Sequence, residues 1–272
     1  MAWPNISSLW GLRSTARGDG ARPVADPVPP LAPAPDLSPG QLQAHRTGSP
    51  LMLTALQAHA DLATLADTYG SDKASRLPDE ETCYPWIAHT YDALYEFLFP
   101  TARDSVQRVF ECGIGSADEN VLSNMGPKGQ PGASLRMWRD FFPRAQIVGA
   151  DIDPNILFQE ERISTYLVDQ CSPVSVEQLW EAVGPGQFDL MIDDGLHTSV
   201  AARSLFEGSI HRLAPTGWYV IEDVLLEQFP DYEAWLEAWP GPKWFAVPDG
   251  ERWGLIAIRA VEPGSDQGLM HS

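Results

Sequence analysis

FDLMIDDGLH, residues 188 to 197, reads as a strand that runs straight into chemistry. Leu190, Met191 and Ile192 form a short apolar run, and Gly195 marks the turn that ends it. Asp193 and Asp194 close the strand, and His197 stands three residues after the second. An open α/β sheet gathers its ligands at the carboxyl ends of its strands. The competing reading is that both aspartates only cap the next helix. A second acidic pair, Glu222-Asp223, ends another apolar run and favours chemistry over capping.

The neighbouring sequence sets the fold class. Strand patterns recur in VQRVFECGIG (106–115), AQIVGADID (145–153), ISTYLVDQ (163–170) and GWYVIEDV (217–224). Helical patterns lie between them, among them VEQLWEAV (176–183) and SVAARSLFEGSIHRL (199–213). Such alternation predicts a mostly parallel sheet with helices on both faces. KWFAVP (243–248) and WGLIAIRA (253–260) come after a helical DYEAWLEAW, with only a short Asp-Gly turn between them. That link suits an antiparallel hairpin and not a crossover. The expectation is therefore a Rossmann-like α/β fold of seven strands. Upstream, residues 51–69 read as one helix with Leu53, Leu56, Ala60, Leu65 and Tyr69 near one face. A second helix is read over 89–99, with Tyr91, Leu94, Tyr95 and Leu98 inward. Residues 1–50 are rich in Pro, Ala, Gly and Ser, a composition of tails or arms that cannot build a core.

Composition narrows the function. A net charge of −19 repels phosphate backbones, so neither nucleic acid nor an anionic membrane is expected as a partner. Cys83, Cys112 and Cys171 are odd in number and lack CxxC spacing, which predicts free thiols and argues against zinc. No apolar run reaches membrane length and no secretory pattern opens the chain, so a cytoplasmic protein is expected.

The strand ends suggest a cofactor. Glu111, ending the first of the five alternating strands, would repel pyrophosphate but attract the ammonium of an amino-acid moiety. Asp151 is placed to accept from a ribose diol, or else to cap the next helix, for which Asp153 is the better candidate. Asp169 and Gln170 can bond an adenine amino group or simply form a polar strand end. A dinucleotide site would want a third glycine where Asp118 stands, so NAD is disfavoured. Together these acids describe a site for S-adenosylmethionine, whose sulfonium and ammonium suit an acidic rim. If the fourth and fifth strands are neighbours, Asp194, Glu222 and Asp223 can converge on one hard cation, leaving Asp193 to the cofactor rim. His197 would then sit beside the metal, placed to take a proton from a chelated hydroxyl.

These residues resemble the metal-dependent O-methyltransferases of antibiotic sugar tailoring, typified by the mycinamicin and rhamnosyl-tetracenomycin enzymes, with cephalosporin hydroxylase as a relative. The resemblance rests on YGSDK (69–73), the His89/Tyr91/Tyr95 segment, ECGIG, GASLRMWRDFFP (132–143), VDQ, IDDGLH and IEDV. It implies the class I methyltransferase sheet, S-adenosylmethionine, and Mg²⁺ or another divalent cation held by Asp194, Glu222 and Asp223. It implies His197 as general base, and Glu111, Gly113, Gly115, Ser134, Asp151, Asp169, Gln170 and Asp193 around the cofactor. Leu196 stands where the family's DDGSH pattern has serine. The expected organisation is a 1–50 tail or arm, a 51–104 helical cap on the substrate side, a 105–262 methyltransferase domain and a 263–272 tail. The expected activity is methyl transfer to a hydroxyl of a small polar, glycosylated natural product by a homo-oligomeric enzyme. The alternative is a non-methylating, hydroxylase-like relative that keeps the same cofactor site.

Overall fold

The structure, a computed structural model, describes residues 51–53, 60–99, 103–121, 124–248 and 252–260, with backbone alone for 51–53 and 60. The tails read at 1–50 and 263–272 lie outside them. One mixed sheet of nine strands organises the described chain. Its strands are β1 (Leu51–Leu53), β2 (Arg108–Cys112), β3 (Gln146–Asp151), β4 (Gln159–Glu160), β5 (Ile163–Leu167), β6 (Phe188–Asp193), β7 (Leu213–Leu225), β8 (Lys243–Pro248) and β9 (Trp253–Arg259). The spatial order is β1-β8-β9-β7-β6-β2-β3-β5-β4. Strands β5, β3, β2, β6 and β7 pair in parallel, and β9 runs antiparallel to both β7 and β8.

The seven strands read from the sequence are all present, and their order and single reversed strand are those of the class I methyltransferase sheet. The count differs from seven because two short strands extend the edges: β1 parallel to β8, and β4 antiparallel to β5. Leu51–Leu53 also corrects the helix expected over 51–69, since these three residues are strand, while α1 is described over Ala60–Tyr69. A three-residue apolar run has no period of its own, and here an edge of the sheet decides its conformation.

Helices α1, α2 (Asp92–Leu98) and α3 (Ala133–Phe141) cover one face of the sheet. Helices α4 (Pro173–Val183), α5 (Ser199–Ser209) and α6 (Phe229–Leu236) cover the other. Alternation along the strands assigns the faces. Val109, Leu190, Ile192 and Val220 join the α1–α3 core, while Phe110, Met191, Tyr219 and Ile221 join the α4–α6 core. By the same alternation Glu111 and Glu222 belong to the α1–α3 face and Asp193 to the other. The chain reverses direction across the sheet between β2 and β6, and this switch point is where an α/β sheet opens a ligand crevice. No helix among the described residues is long and apolar enough to cross a membrane.

Candidate functional site

The ends of β2, β6 and β7 meet at the switch point. Pairing of Cys112 with Asp193, and of Asp193 with Ile221, sets Asp194 and Glu222 one residue beyond the last registered pairs. Beyond Ile221 the register with β9 slips, and Asp223 sits in that irregularity with φ 52. Bulges of this kind re-aim side chains beside sites. The turn after β6 is held tightly. Its Asp194 N–H donates to the Cys112 carbonyl at 2.8 Å. A Cβ on Gly113 (φ +88) would lie 2.0 Å from the Asp194 carbonyl oxygen, so only glycine lets the two loops cross. Gln170 clamps the turn from β5, donating to Asp193 Oδ1 at 3.1 Å and accepting from the Leu196 N–H at 2.8 Å. Neither aspartate caps α5; Thr198 does, accepting from the Ala201 N–H. Chemistry therefore survives the capping alternative.

Asp194, His197 and Asp223 form a partly exposed cluster in which one ligand atom from each lies within 4.8 Å of the others. His197 Nε2 stands 3.3 Å from Asp194 Oδ1 and 4.0 Å from Asp223 Oδ2. His197 has φ 52, like Asp223. The Tyr91 hydroxyl donates to Asp223 Oδ1 at 2.5 Å, and His89, stacked on the Tyr91 ring, brings Nε2 within 3.5 Å of the same oxygen. Burial works against charge on His197, but the Asp194 hydrogen bond and the Asp223, Asp194 and Asp193 charges outweigh it and push its pKa up to about 9. For Asp194, burial is outweighed by Lys73 and His197, which hold it down to about 2. An imidazolium cannot accept a proton, so a base at His197 would need another cation to offset these acids. Two carboxylates and an imidazole in contact are a donor set that fits a divalent cation.

A second cluster lies beneath the first, buried except for Asp194, which belongs to both. The Lys73 ammonium, 2% exposed, bonds Asp194 Oδ2 at 2.7 Å, bonds Glu222 Oε2, and lies 3.3 Å from Glu111 Oε1. Glu222 also accepts from the Tyr95 hydroxyl at 2.5 Å, and Glu111 accepts from Trp138 Nε1 at 2.8 Å. Burial opposes the Lys73 charge, yet Asp194, Glu222 and Glu111 raise its pKa well above the usual amine range. Burial, with the charges of Asp194 and Glu111, pushes Glu222 up, and Lys73 opposes them. Glu111, read from the sequence as a partner for a cofactor ammonium, here faces the ammonium of Lys73.

The remaining cofactor candidates line the ends of β3 and β5. Asp151, half-buried, accepts from the Ile114 and Asp153 N–H groups, one on each oxygen, and burial raises its pKa. Asp153 caps the next turn, accepting from Asn155. Asp169 Oδ1 accepts from the Cys171 N–H. Each of these carboxylates keeps lone pairs for a ligand hydroxyl or amine, so the strand ends fit a cationic, ribose-bearing cofactor. Gly115 (φ +87) turns the loop after β2, and Ser134, buried in the first turn of α3, lies beside Glu111. Asp193 is buried on the α4–α6 side, its pKa pushed up to about 6 by burial despite the Gln170 hydrogen bond.

The arrangement thus brings Asp194, His197 and Asp223 together, while Glu222 turns inward to Lys73 and Tyr95. Sequence reading missed Lys73 and the hydroxyls of Tyr91 and Tyr95, which it took only as core-facing. Lys73 lies in the YGSDK motif, but its partners Asp194 and Glu222 are 121 and 149 residues further on. No local pattern announces them.

No family model matches the chain. It is 36% identical over 172 residues to the 8-demethyl-8-alpha-L-rhamnosyl tetracenomycin-C 2'-O-methyltransferase of Streptomyces olivaceus, covering 63% of this chain and 40% of that one. It is 34% identical over 181 residues to the mycinamicin VI 2''-O-methyltransferase of Micromonospora griseorubida, covering 66% and 38%. The chain therefore spans about two fifths of the length of these curated relatives. Among solved structures it is similar to the MycE methyltransferase of the mycinamycin pathway in complex with Mg, SAH and mycinamycin VI, at 31% identity. That match has a TM-score of 0.46 and covers 66% of this chain and 41% of that one.

Proposed function

We propose that this chain is an S-adenosylmethionine-dependent, divalent-cation-dependent O-methyltransferase that acts on a hydroxyl of a small, polar, glycosylated natural product. The observation that carries the reading is the Asp194, His197 and Asp223 cluster at the ends of neighbouring strands. Asp194 and Asp223 hold the cation there, with Glu222 behind them, and the DDG turn fixed by Gln170 keeps Asp194 in place. The bound cation supplies a Lewis acid that lowers the pKa of an acceptor hydroxyl and relieves the negative field around His197. His197 takes the hydroxyl proton at Nε2. Asp151 and Asp169 orient the methyl donor from the ends of β3 and β5, with Gly113, Gly115, Ser134, Glu111, Gln170 and Asp193 shaping the loops around it. Two groups held in line at about 3 Å gain much of their rate from position alone. Free thiols at Cys83, Cys112 and Cys171 suit a reducing, cytoplasmic setting.

The sugar O-methyltransferase names of the similar proteins support transfer over the hydroxylase-like alternative. The test is methyl transfer from labelled S-adenosylmethionine to a panel of glycosylated acceptors, rhamnosylated ones included. Turnover should vanish with EDTA and return with Mg²⁺. Full turnover after exhaustive chelation would remove Asp194, Glu222 and Asp223 from catalysis.

A further inference from the structure

Lys73 is a buried cation that the proposed reaction does not use, and its surroundings limit what it can be. An ammonium offers three donors and no acceptor. Here Glu111 on β2, Glu222 on β7 and Asp194, just past the end of β6, surround it. Enclosed by these three carboxylates at 2% exposure, it is placed as an ion-pair partner and not as a group that meets substrate. Its backbone is equally fixed. The Tyr91 N–H donates to the Lys73 carbonyl at 3.0 Å, and the His89 N–H to the Asp72 carbonyl at 2.7 Å. The motif that carries Lys73 is thereby joined to the segment whose tyrosines bond Asp223 and Glu222.

The geometry of Asp194 gives this position a consequence. Its Oδ2 is taken by Lys73, and its Oδ1 faces His197. Glu222 is oriented the same way, with Oε2 on Lys73 and Oε1 on Tyr95. We propose that Lys73 is a positioning residue for the cation site: it ties the carboxylates after β6 and on β7 together from below and so presents Asp194 Oδ1 to the metal. The inference rests on the metal-dependent reading above and names the part of the chain that arms that site. It makes the YGSDK segment, whose Lys73 lies 121 residues before Asp194 in sequence, a component of cation binding.

Charge alone predicts the opposite of positioning, and this makes the inference testable. Removing a positive group beside a cation site should tighten cation binding if Lys73 is only a counter-charge. If it orients the ligands, its loss should weaken binding. Mn²⁺ affinity is read by electron paramagnetic resonance on the full chain and on Lys73→Met, with the fold of each checked by near-UV circular dichroism. The expected result is a tenfold or greater weakening in the folded variant. Affinity that is equal or tighter overturns the inference. Should Lys73→Met not fold, Lys73→Arg carries the test, because its planar fork keeps the charge but cannot occupy the same compact position. The same tenfold weakening is expected there, and unchanged affinity overturns the inference. Wild-type protein that binds no Mn²⁺ brings down the proposed function as well; wild-type binding with an unaffected variant brings down the role of Lys73 alone.

Discussion

Two acidic clusters share the ends of β6 and β7, and they divide their duties by depth. In the upper one, the side chains of Asp194, His197 and Asp223 are 22%, 26% and 19% exposed. In the lower one, Lys73, Glu111 and Glu222 are 2% exposed or less. Both hold carboxylates around a nitrogen cation, and Asp194 belongs to both. The lower cluster carries its own counter-ion, Lys73, which contacts its carboxylates from within the fold. The upper cluster has only an imidazole, which must be neutral to act as a base. What distinguishes a structural ion cluster from a candidate reactive one here is thus whether the balancing charge is built in or must be recruited.

Substitutions in the two layers should separate accordingly. The largest effect is expected in the upper layer: His197→Ala should lower kcat by about 10²–10⁴ while leaving cofactor affinity in place. A loss of cofactor affinity at unaltered kcat, seen by steady-state kinetics and calorimetry, would contradict the base assignment. In the lower layer the cost falls on folding. Lys73→Met strands buried carboxylates without their cation, and urea denaturation should show a loss of about 3–5 kcal/mol. A variant as stable as the parent would mean that the lower layer is not what joins the strand ends.

The tyrosines sharpen the same contrast at smaller scale. Tyr95→Phe removes a hydrogen bond to the buried Glu222 and should cost about 1.5–3 kcal/mol of stability. Tyr91→Phe removes one to the partly exposed Asp223, where water can replace it, and should cost less. Equal losses in the two melts would erase the distinction between the layers. The smallest effect is one of pH on the chelated protein. The folded pKa of His197, about 9, lies above that of a free imidazole. The pairing therefore contributes fully below pH about 6.5 and is lost as pH rises through 9. The Tm difference between wild type and His197→Gln should shrink across that window, and saturating Mg²⁺ should flatten it.

Much of the fold was legible in the sequence because strands announce their ends. FDLMIDDG and GWYVIEDV each show an apolar run with its acids attached, and parallel pairing of the two strands is implied by the α/β alternation. The hairpin of β8 and β9 was readable from a connection too short for a crossover. What could not be read is which acids meet which cations. Glu222 and Asp223 are adjacent in the chain, yet one points to Lys73 and the other to His197, because the register slip after Ile221 turns the backbone between them. Gln170, read as a candidate adenine contact, also engages the DDG turn, a pairing across 26 residues that no spacing rule contains.

The backbone at His197 and Asp223 has an evolutionary corollary. Both are held in the left-handed region, which costs a typical L-residue such as His197 about 1–2 kcal/mol and aspartate less. A glycine at either place would relax the chain and, on the proposed function, remove a side chain of the cation site in the same step. Selection for thermal tolerance alone would therefore drift toward inactive proteins at these two positions, so a lineage that keeps histidine and aspartate there is under pressure for something other than fold. A screen that scores stability and turnover separately should find their optima apart at 197 and 223.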